Sequence, residues 1–202
     1  ANILSDVATL VNNYGSTTTD HYPVFTRYRF NNTVAPTVVS CTKTVSFCQS
    51  TSNTYTIPAF TASDDCDETI TYTYTITGAT SRSGNSGDAS GTFNTGISVI
   101  DWTASDSWGN SVTCQTTVTV HTNPTVMIPD AFALPSGVLP NTVYLGYAPA
   151  SSLTLQAVAN GGTPGYSYSW TNGSTAMSTT VSPVNTTVYT VTVTDQNNCQ
   201  DQ

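Results

Sequence analysis

Lysine and arginine are almost absent from this chain of 202 residues. Only four are present, Arg27, Arg29, Lys43 and Arg82, against 12 acidic residues, which makes the net charge −8. Nucleic acids and anionic membrane surfaces are bound through cationic side chains. Most of the chain therefore lacks the groups for either partner, whereas the surplus of carboxylates suits a divalent cation such as Ca²⁺.

Long apolar runs are missing too. No stretch of about 18 apolar residues occurs, so no membrane insertion is predicted. The start, Ala1-Asn2-Ile3, has neither the basic residues nor the apolar stretch of a signal peptide. We interpret the sequence as a mature or excerpted chain.

The five cysteines are spaced for disulfides. They stand at positions 41, 48, 66, 114 and 199 without any CxxC pair, the spacing that zinc sites use. Two disulfides predict an oxidising location, extracellular or at the cell surface. Four cysteines allow three pairings, of which we favour Cys41–Cys114 and Cys48–Cys66. Cys199 is then left over, with its partner expected in a missing strand.

The first 30 residues differ in pattern from the rest. Residues 3–13 place apolar side chains at helical spacing, and residues 21–30 alternate as a strand does. One helix and one strand cannot form a core. Residues 1–30 are therefore predicted to be the end of a truncated α/β domain, followed by a linker at 31–36.

From residue 37 onward the pattern is purely β. Runs rich in Thr, Val and Tyr predict an antiparallel sandwich at 37–122 and a second one at 141–202. A proline-containing linker is predicted between them at 123–140, and a long exposed loop at 81–96. The predicted fold is mainly β, with two immunoglobulin-like sandwiches in tandem. The pattern stops at the chain end, so the second sandwich is expected to lack a closing strand.

Thr19-Asp20-His21-Tyr22-Pro23-Val24 follows the predicted helix. This segment resembles the C-terminal end of the endonuclease/exonuclease/phosphatase family. The resemblance implies that His21 activates the attacking water and that Asp20 orients a metal–phosphate site, with Mg²⁺ or Ca²⁺ as cofactor and nucleic acid or another phosphodiester as substrate. The family's other ligands would lie upstream of Ala1. The chain would then be the stalk of a secreted nuclease and not itself a complete catalyst.

The two β regions carry resemblances of their own. Four segments, PTVVSC at 36–41, ASDDC at 62–66, TYTYTITGA at 71–79 and DWTASDSWGNSVTCQTTVTV at 101–120, resemble a hyalin-repeat (HYR) module. That resemblance implies an adhesion or spacer unit without enzymatic activity.

The last region contains LQAVANGGTPGYSYSWTNGST at 155–175 and VSPVNTTVYTVTVTDQNNC at 181–199. It resembles the PKD-like repeats of large secreted proteins from gliding Bacteroidetes, in which one more strand follows the Asp-x-x-x-Cys end. An extracellular protein is again implied.

Acidic side chains near the predicted turns are candidate calcium ligands. The set is Asp64, Asp65, Asp101 and Asp106. Ca²⁺ takes six to eight oxygen ligands, and these loops are expected to converge at one end of the sandwich. The alternative is that they are solvated turn residues. A second and weaker set of candidate calcium ligands is Asp195, Asn197 and Asn198.

Tyr166, Tyr168 and Trp170 alternate along one predicted strand and so share a face. Such a row either packs in the sandwich core or stacks on sugar rings.

Three functions follow from the sequence: the stalk of a nuclease, a structural or adhesive segment of an extracellular assembly, and a carbohydrate-binding module. A sandwich that lacks a strand also predicts self-association, or pairing with a neighbouring module, through its free edge.

Overall fold

The computed structural model describes residues 33–65, 69–134, 139–147 and 150–202. The helix predicted at 3–13, the strand at 21–30 and the residues Asp20 and His21 lie outside this part of the chain. Throughout the described ranges the regular structure is β-strand, which confirms the prediction of a mainly β fold. Within the same ranges there is no helix long and apolar enough to cross a membrane.

The first module comprises nine strands. They are β1 Thr37–Ser40, β2 Thr44–Cys48, β3 Thr54–Tyr55, β4 Thr61–Ser63, β5 Thr71–Gly78, β6 Arg82–Gly84, β7 Gly91–Thr92, β8 Gly96–Ser105 and β9 Ser111–His121. Five form one sheet in the order β2-β9-β8-β5-β6, in which only the β2–β9 pair is parallel. The pairs β1–β4 and β3–β7 are antiparallel.

Alternation along β8 explains how this sheet covers its core. Residues at even positions from 98 to 104 are buried, and their neighbours are more exposed, as a two-residue period requires. Trp102 is 1% exposed, and its Nε1 donates to Thr116 Oγ1 at 2.9 Å. Thr116 Oγ1 in turn donates to the carbonyl of Thr42 at 2.7 Å. The indole is thus both buried and satisfied in its hydrogen bonding.

The second module comprises seven strands. They are β10 Pro124–Met127, β11 Leu153–Gln156, β12 Val158–Gly161, β13 Ser167–Trp170, β14 Ser178–Val181, β15 Val191–Thr194 and β16 Gln200–Asp201. The pairings β10–β12, β11–β14 and β13–β15–β16 are all antiparallel. A separate core forms between them, with buried Leu153, Leu155, Ala157, Trp170, Val181 and Val191.

The region 123–140 differs from the predicted linker. Strand β10 lies within it and pairs with β12 from Pro124↔Gly161 to Met127↔Val158. Proline is tolerated as the first residue of a strand, where it is not needed as a ladder donor, so Pro124 opens β10 and does not mark a linker. The connection between the modules is only Thr122 and Asn123.

The region 81–96 also differs from prediction, since it is not an exposed loop throughout. It contributes β6 and β7, and both Ala89 and Phe93 are fully buried. Arg82 holds the segment in place: its guanidinium lies 4.5 Å from the centre of the Phe93 ring and donates to the carbonyls of Ala89 and Thr92. The Gly/Ser-rich composition of this segment does not indicate that Ala89 and Phe93 are buried or that Arg82 contacts them.

The two disulfides support one expected pairing and correct the other. Cys41 is bonded to Cys114, as favoured from the sequence. The Cys48–Cys66 pairing is wrong, because Cys48 is bonded to Cys199. Cys48 ends β2 beside its register partner His121, the last residue of β9 before the connection to the second module, and Cys199 directly precedes β16. Cys66 lies outside the described residues.

Candidate functional site

The joint between the modules has two covalent connections. Residues 33–202 form one compact unit, and within it β9 passes to β10 through Thr122 and Asn123. The second connection is the Cys48–Cys199 disulfide, with Cα atoms 5.3 Å apart. Cys48 is the register partner of His121, the last residue of β9. Both connections therefore leave the first module side by side.

Hydrogen bonds close the joint around His121. Its Nε2 lies 2.9 Å from Ser46 Oγ, and its Nδ1 lies 3.1 Å from Asn197 Nδ2. An amide nitrogen can only donate, so Nδ1 is the acceptor from Asn197, and Nε2 is the ring nitrogen left to donate to Ser46 Oγ. Nearby, Asn123 Nδ2 donates to the carbonyl of Gln49 at 3.0 Å. The imidazole thus bridges β2 to a turn of the second module.

That turn is organised by the buried carboxylate of Asp195. It accepts hydrogen bonds from the backbone N–H groups of Thr163 at 2.8 Å and of Asn197 and Cys199 at 2.9 Å. Burial by itself favours the neutral acid, but these three hydrogen bonds hold the pKa of Asp195 below its ordinary value. The charged carboxylate fixes the turn that presents Asn197 and Cys199 to the first module.

Asp106 builds the same kind of turn between β8 and β9. Its Oδ1 accepts from the N–H groups of Trp108 at 2.9 Å and Asn110 at 2.8 Å, and its Oδ2 accepts from Asn110 Nδ2 at 2.7 Å. Burial opposes the charge, yet the hydrogen bonds from Asn110, Trp108 and Gly109 keep the pKa of Asp106 below its ordinary value. Both of its oxygens already serve the turn.

The predicted calcium ligands are not gathered as expected. Asp101 is exposed on β8 and accepts from Gln115 Nε2 at 2.9 Å, whereas Asp106 lies on the buried side. Five residues of extended chain separate them by roughly 17 Å, so they cannot share one ion. Asp64 is half-buried and Asp65 exposed, directly after β4.

No group of three or more His, Cys, Asp or Glu side chains is arranged to hold a metal within residues 33–65, 69–134, 139–147 and 150–202. Asp67 and Glu68, which flank the predicted set, fall outside those ranges. Calcium binding by these turns stays a prediction.

The aromatic row belongs mainly to the core of the second module. Trp170 is 3% exposed, and its Nε1 donates to the carbonyl of Ala176 at 2.8 Å. Tyr168 packs against the same core, and the Tyr166 hydroxyl donates to the carbonyl of Gly161 at 2.6 Å. Trp170 has no open face on which a sugar ring could stack, so its place in an exposed platform is wrong.

A cleft of about 680 Å³ opens in the second module. Its apolar walls are formed by Ile128, Val143, Leu153, Leu155, Val181 and Tyr189. Asn141, Asn185 and Thr186 contribute polar groups, and none of the lining residues in the described part of the chain is charged. Such a cleft suits an uncharged, apolar group. Its walls come from segments far apart in sequence, which is why no local pattern indicated it.

The fold defines a class of protein, a tandem of two β-sandwich modules whose strand pairs are mainly antiparallel. No protein-family model matches the chain, and no curated protein matches it. Solved structures similar to it include Drosophila N-cadherin EC1-4, at 14% identity and a TM-score of 0.37, covering 81% of this chain and 46% of that one.

Two further examples are similar to the same extent. The four N-terminal Ig domains of Dscam1 isoform 6.9 share 10% identity, with a TM-score of 0.33 and coverage of 84% of this chain and 45% of that one. Extracellular cadherin domains 1–4 of protocadherin gamma B7 share 14% identity, with a TM-score of 0.35 and coverage of 80% and 46%. The chain thus spans less than half the length of these structures.

Proposed function

We propose that residues 33–202 are a non-catalytic structural or adhesive segment of an extracellular protein. The observation that carries the proposal is the Cys48–Cys199 disulfide, which joins two modules with separate cores. Disulfides persist in oxidising compartments and are rare in the cytosol. A cross-link placed between modules holds their mutual orientation, which is what a spacer or an adhesive array requires.

The interface geometry supports the same reading. Domains in one chain are expected to move relative to each other unless something large or covalent restrains them. Here a two-residue connection, a disulfide and the His121 bridge all act at one place. The resemblances of the first module to hyalin repeats and of the second to PKD-like repeats also imply extracellular spacer units.

The location can be tested on intact cells that produce the protein. Proteinase K added outside should remove the protein, while a cytosolic marker in the same cells survives. Alkylation before lysis should leave Cys41, Cys114, Cys48 and Cys199 unmodified, because all four are in disulfides. A protein that survives proteinase K and has these four thiols free would refute an extracellular role.

An assay with beads coated with the full chain then distinguishes an adhesive role from a spacer role. Clustering of the beads, or their capture by the producing cells, indicates an adhesive segment. Beads that neither cluster nor bind leave spacing as the role. A cleft variant, Val184→Asp, is the matched probe, because Val184 is 71% exposed at the cleft and its change should not disturb the core.

A second candidate is the stalk of a nuclease, favoured by Thr19-Asp20-His21-Tyr22-Pro23-Val24. In that case a longer parent should hydrolyse a phosphodiester with Mg²⁺ or Ca²⁺, and His21→Ala should abolish the activity. The chain contains only one other histidine, His121, so His121→Gln is the matched control and should retain activity. Full activity in His21→Ala would remove the base from this mechanism.

A further inference from the structure

The disulfides create a short covalent path through the described part of the chain. Starting at Thr33, the path runs to Cys48, crosses to Cys199 and ends at Gln202. The sequence separation of Cys48 and Cys199 is 151 residues. All residues between them, including nearly all of both hydrophobic cores, lie off this path.

We infer that the Cys48–Cys199 disulfide makes the tandem inextensible under tension. A pull on the two ends is carried by covalent bonds through residues 33–48 and 199–202, so nearly all of both cores lies out of line with the force. The second module is bypassed almost completely, because only its last residues carry tension. This property holds whatever the chain binds and thus goes beyond the proposed spacer or adhesive role.

Little chain can be drawn out before the covalent path is taut. The residues on the path would extend to roughly 60 Å in all, compared with roughly 500 Å for the bypassed chain, whose ends are separated by 151 positions in sequence. The first stretch is also anchored: β1 pairs with β4, Cys41 is bonded to Cys114, and β2 pairs with β9 from Thr44↔Thr117 to Cys48↔His121.

The two disulfides have different consequences for tension. Cys41–Cys114 spans 73 residues, all within the first module. By itself it would leave the whole second module in line with the force. Only Cys48–Cys199 spans both modules, so the protection of the second module depends on that bond.

Single-molecule force spectroscopy on the full chain tests this inference, with handles at Ala1 and Gln202 and Cys66→Ser present throughout to prevent thiol exchange. Dithiothreitol should lengthen the fully unfolded chain by roughly 500 Å relative to the oxidised chain. Adding Cys48→Ser and Cys199→Ser should lengthen the oxidised chain by about half as much, roughly 260 Å, since Cys41–Cys114 still bypasses the chain between two positions with a sequence separation of 73.

The control replaces the other pair, Cys41→Ser with Cys114→Ser. It should extend no further than the oxidised parent, because the path through Cys48 and Cys199 is unchanged. An oxidised parent that gains the length of the second module under force would overturn the inference. So would a control that extends as far as the reduced chain.

Disulfide mapping checks the same bond without any variant. Trypsin cleaves the denatured, unreduced chain after Lys43 and Arg82, and no Lys or Arg follows. Cys48–Cys199 keeps the fragment 44–82 attached to 83–202 until reductant is added. Release of 44–82 before reduction would show that Cys48 is not bonded to Cys199, and the inference would fail.

Discussion

The two modules contain the same buried Asp turn, yet the turn has different consequences in each. In the first, Asp106 N–H donates to the carbonyl of Asn110 at 3.0 Å; in the second, Asp195 N–H donates to that of Cys199 at 2.9 Å. In both, the carboxylate accepts the N–H groups two and four residues later. The first turn only closes a hairpin, whereas the second delivers Cys199 to the joint.

The cores differ as well. The first surrounds Trp102 with aromatic rings, Phe60 at 5.7 Å and Tyr74 at 5.6 Å between centroids, under a five-stranded sheet. The second packs Trp170 among aliphatic side chains between three small sheets and has an open cleft beside it. The first module has an internal disulfide, Cys41–Cys114, whereas the disulfide of the second module, Cys48–Cys199, joins it to the first. A similar strand pattern therefore supports two different ways of stabilising a small sandwich.

Truncating the core tryptophans should have the largest effect. Trp102→Ala and Trp170→Ala should each lower the free energy of unfolding by about 3–5 kcal/mol, because a large buried side chain is removed. Hydrogen exchange should accelerate in β8 for the first variant and in β15 for the second. Trp108→Ala, at a 48% exposed turn position, is the control and should change stability by less than about 0.5 kcal/mol. Faster exchange in both β8 and β15 in either core variant would contradict the separate cores.

Removing the clamp on the 81–96 segment should have a smaller effect, limited to the first module. Arg82→Met loses two hydrogen bonds and the contact with the Phe93 ring, a cost of about 1–3 kcal/mol. Thermolysin should then cleave between residues 85 and 93 faster than in the parent. Arg82→Lys keeps the charge but not the planar fork, so full rescue by lysine would show that charge alone matters.

Substituting the two turn aspartates should have the smallest effects on stability, but it should distinguish the two modules most clearly. Both carboxyl pKa values are lowered in the folded state, so each group stabilises the fold above its ordinary pKa, near 4. This contribution is lost as the pH falls through the lowered value. Asp106→Asn and Asp195→Asn should therefore lower stability at pH 7 and flatten the loss of stability below about pH 4 in urea titrations.

Only Asp195→Asn should also disturb the joint. It loosens the turn that holds Cys199, so reduction of Cys48–Cys199 by dithiothreitol should become faster, as followed by alkylation and mass spectrometry. Asp106→Asn lies in the other module and serves as the matched control. Equal reduction rates in the two variants would show that the second turn does not support the disulfide.

Local pattern predicted much of this architecture. Alternation along residues 96–105 and 111–121 is visible in the sequence and appears as β8 and β9, because a strand's two-residue period is a property of neighbouring residues. The Cys41–Cys114 disulfide is favoured from the sequence because Cys41 opens the first predicted strand of the module and Cys114 lies in the last one. Scarcity of lysine and arginine is likewise a property of composition, and it holds for any fold.

Tertiary structure alone decided the joint, the cleft and the role of Asp195. The partner of Cys48 stands 151 residues away, and no local pattern distinguishes it from Cys66. The sequence around Pro124 predicts a linker because the pairing of β10 with β12 is not visible in it. The three N–H groups that donate to Asp195 come from Thr163, Asn197 and Cys199, and the fold brings Thr163 to it from 32 residues away. The alternation that predicts a strand is a property of neighbouring residues, whereas strand partners, cross-links and buried charges depend on which distant segments the fold brings together.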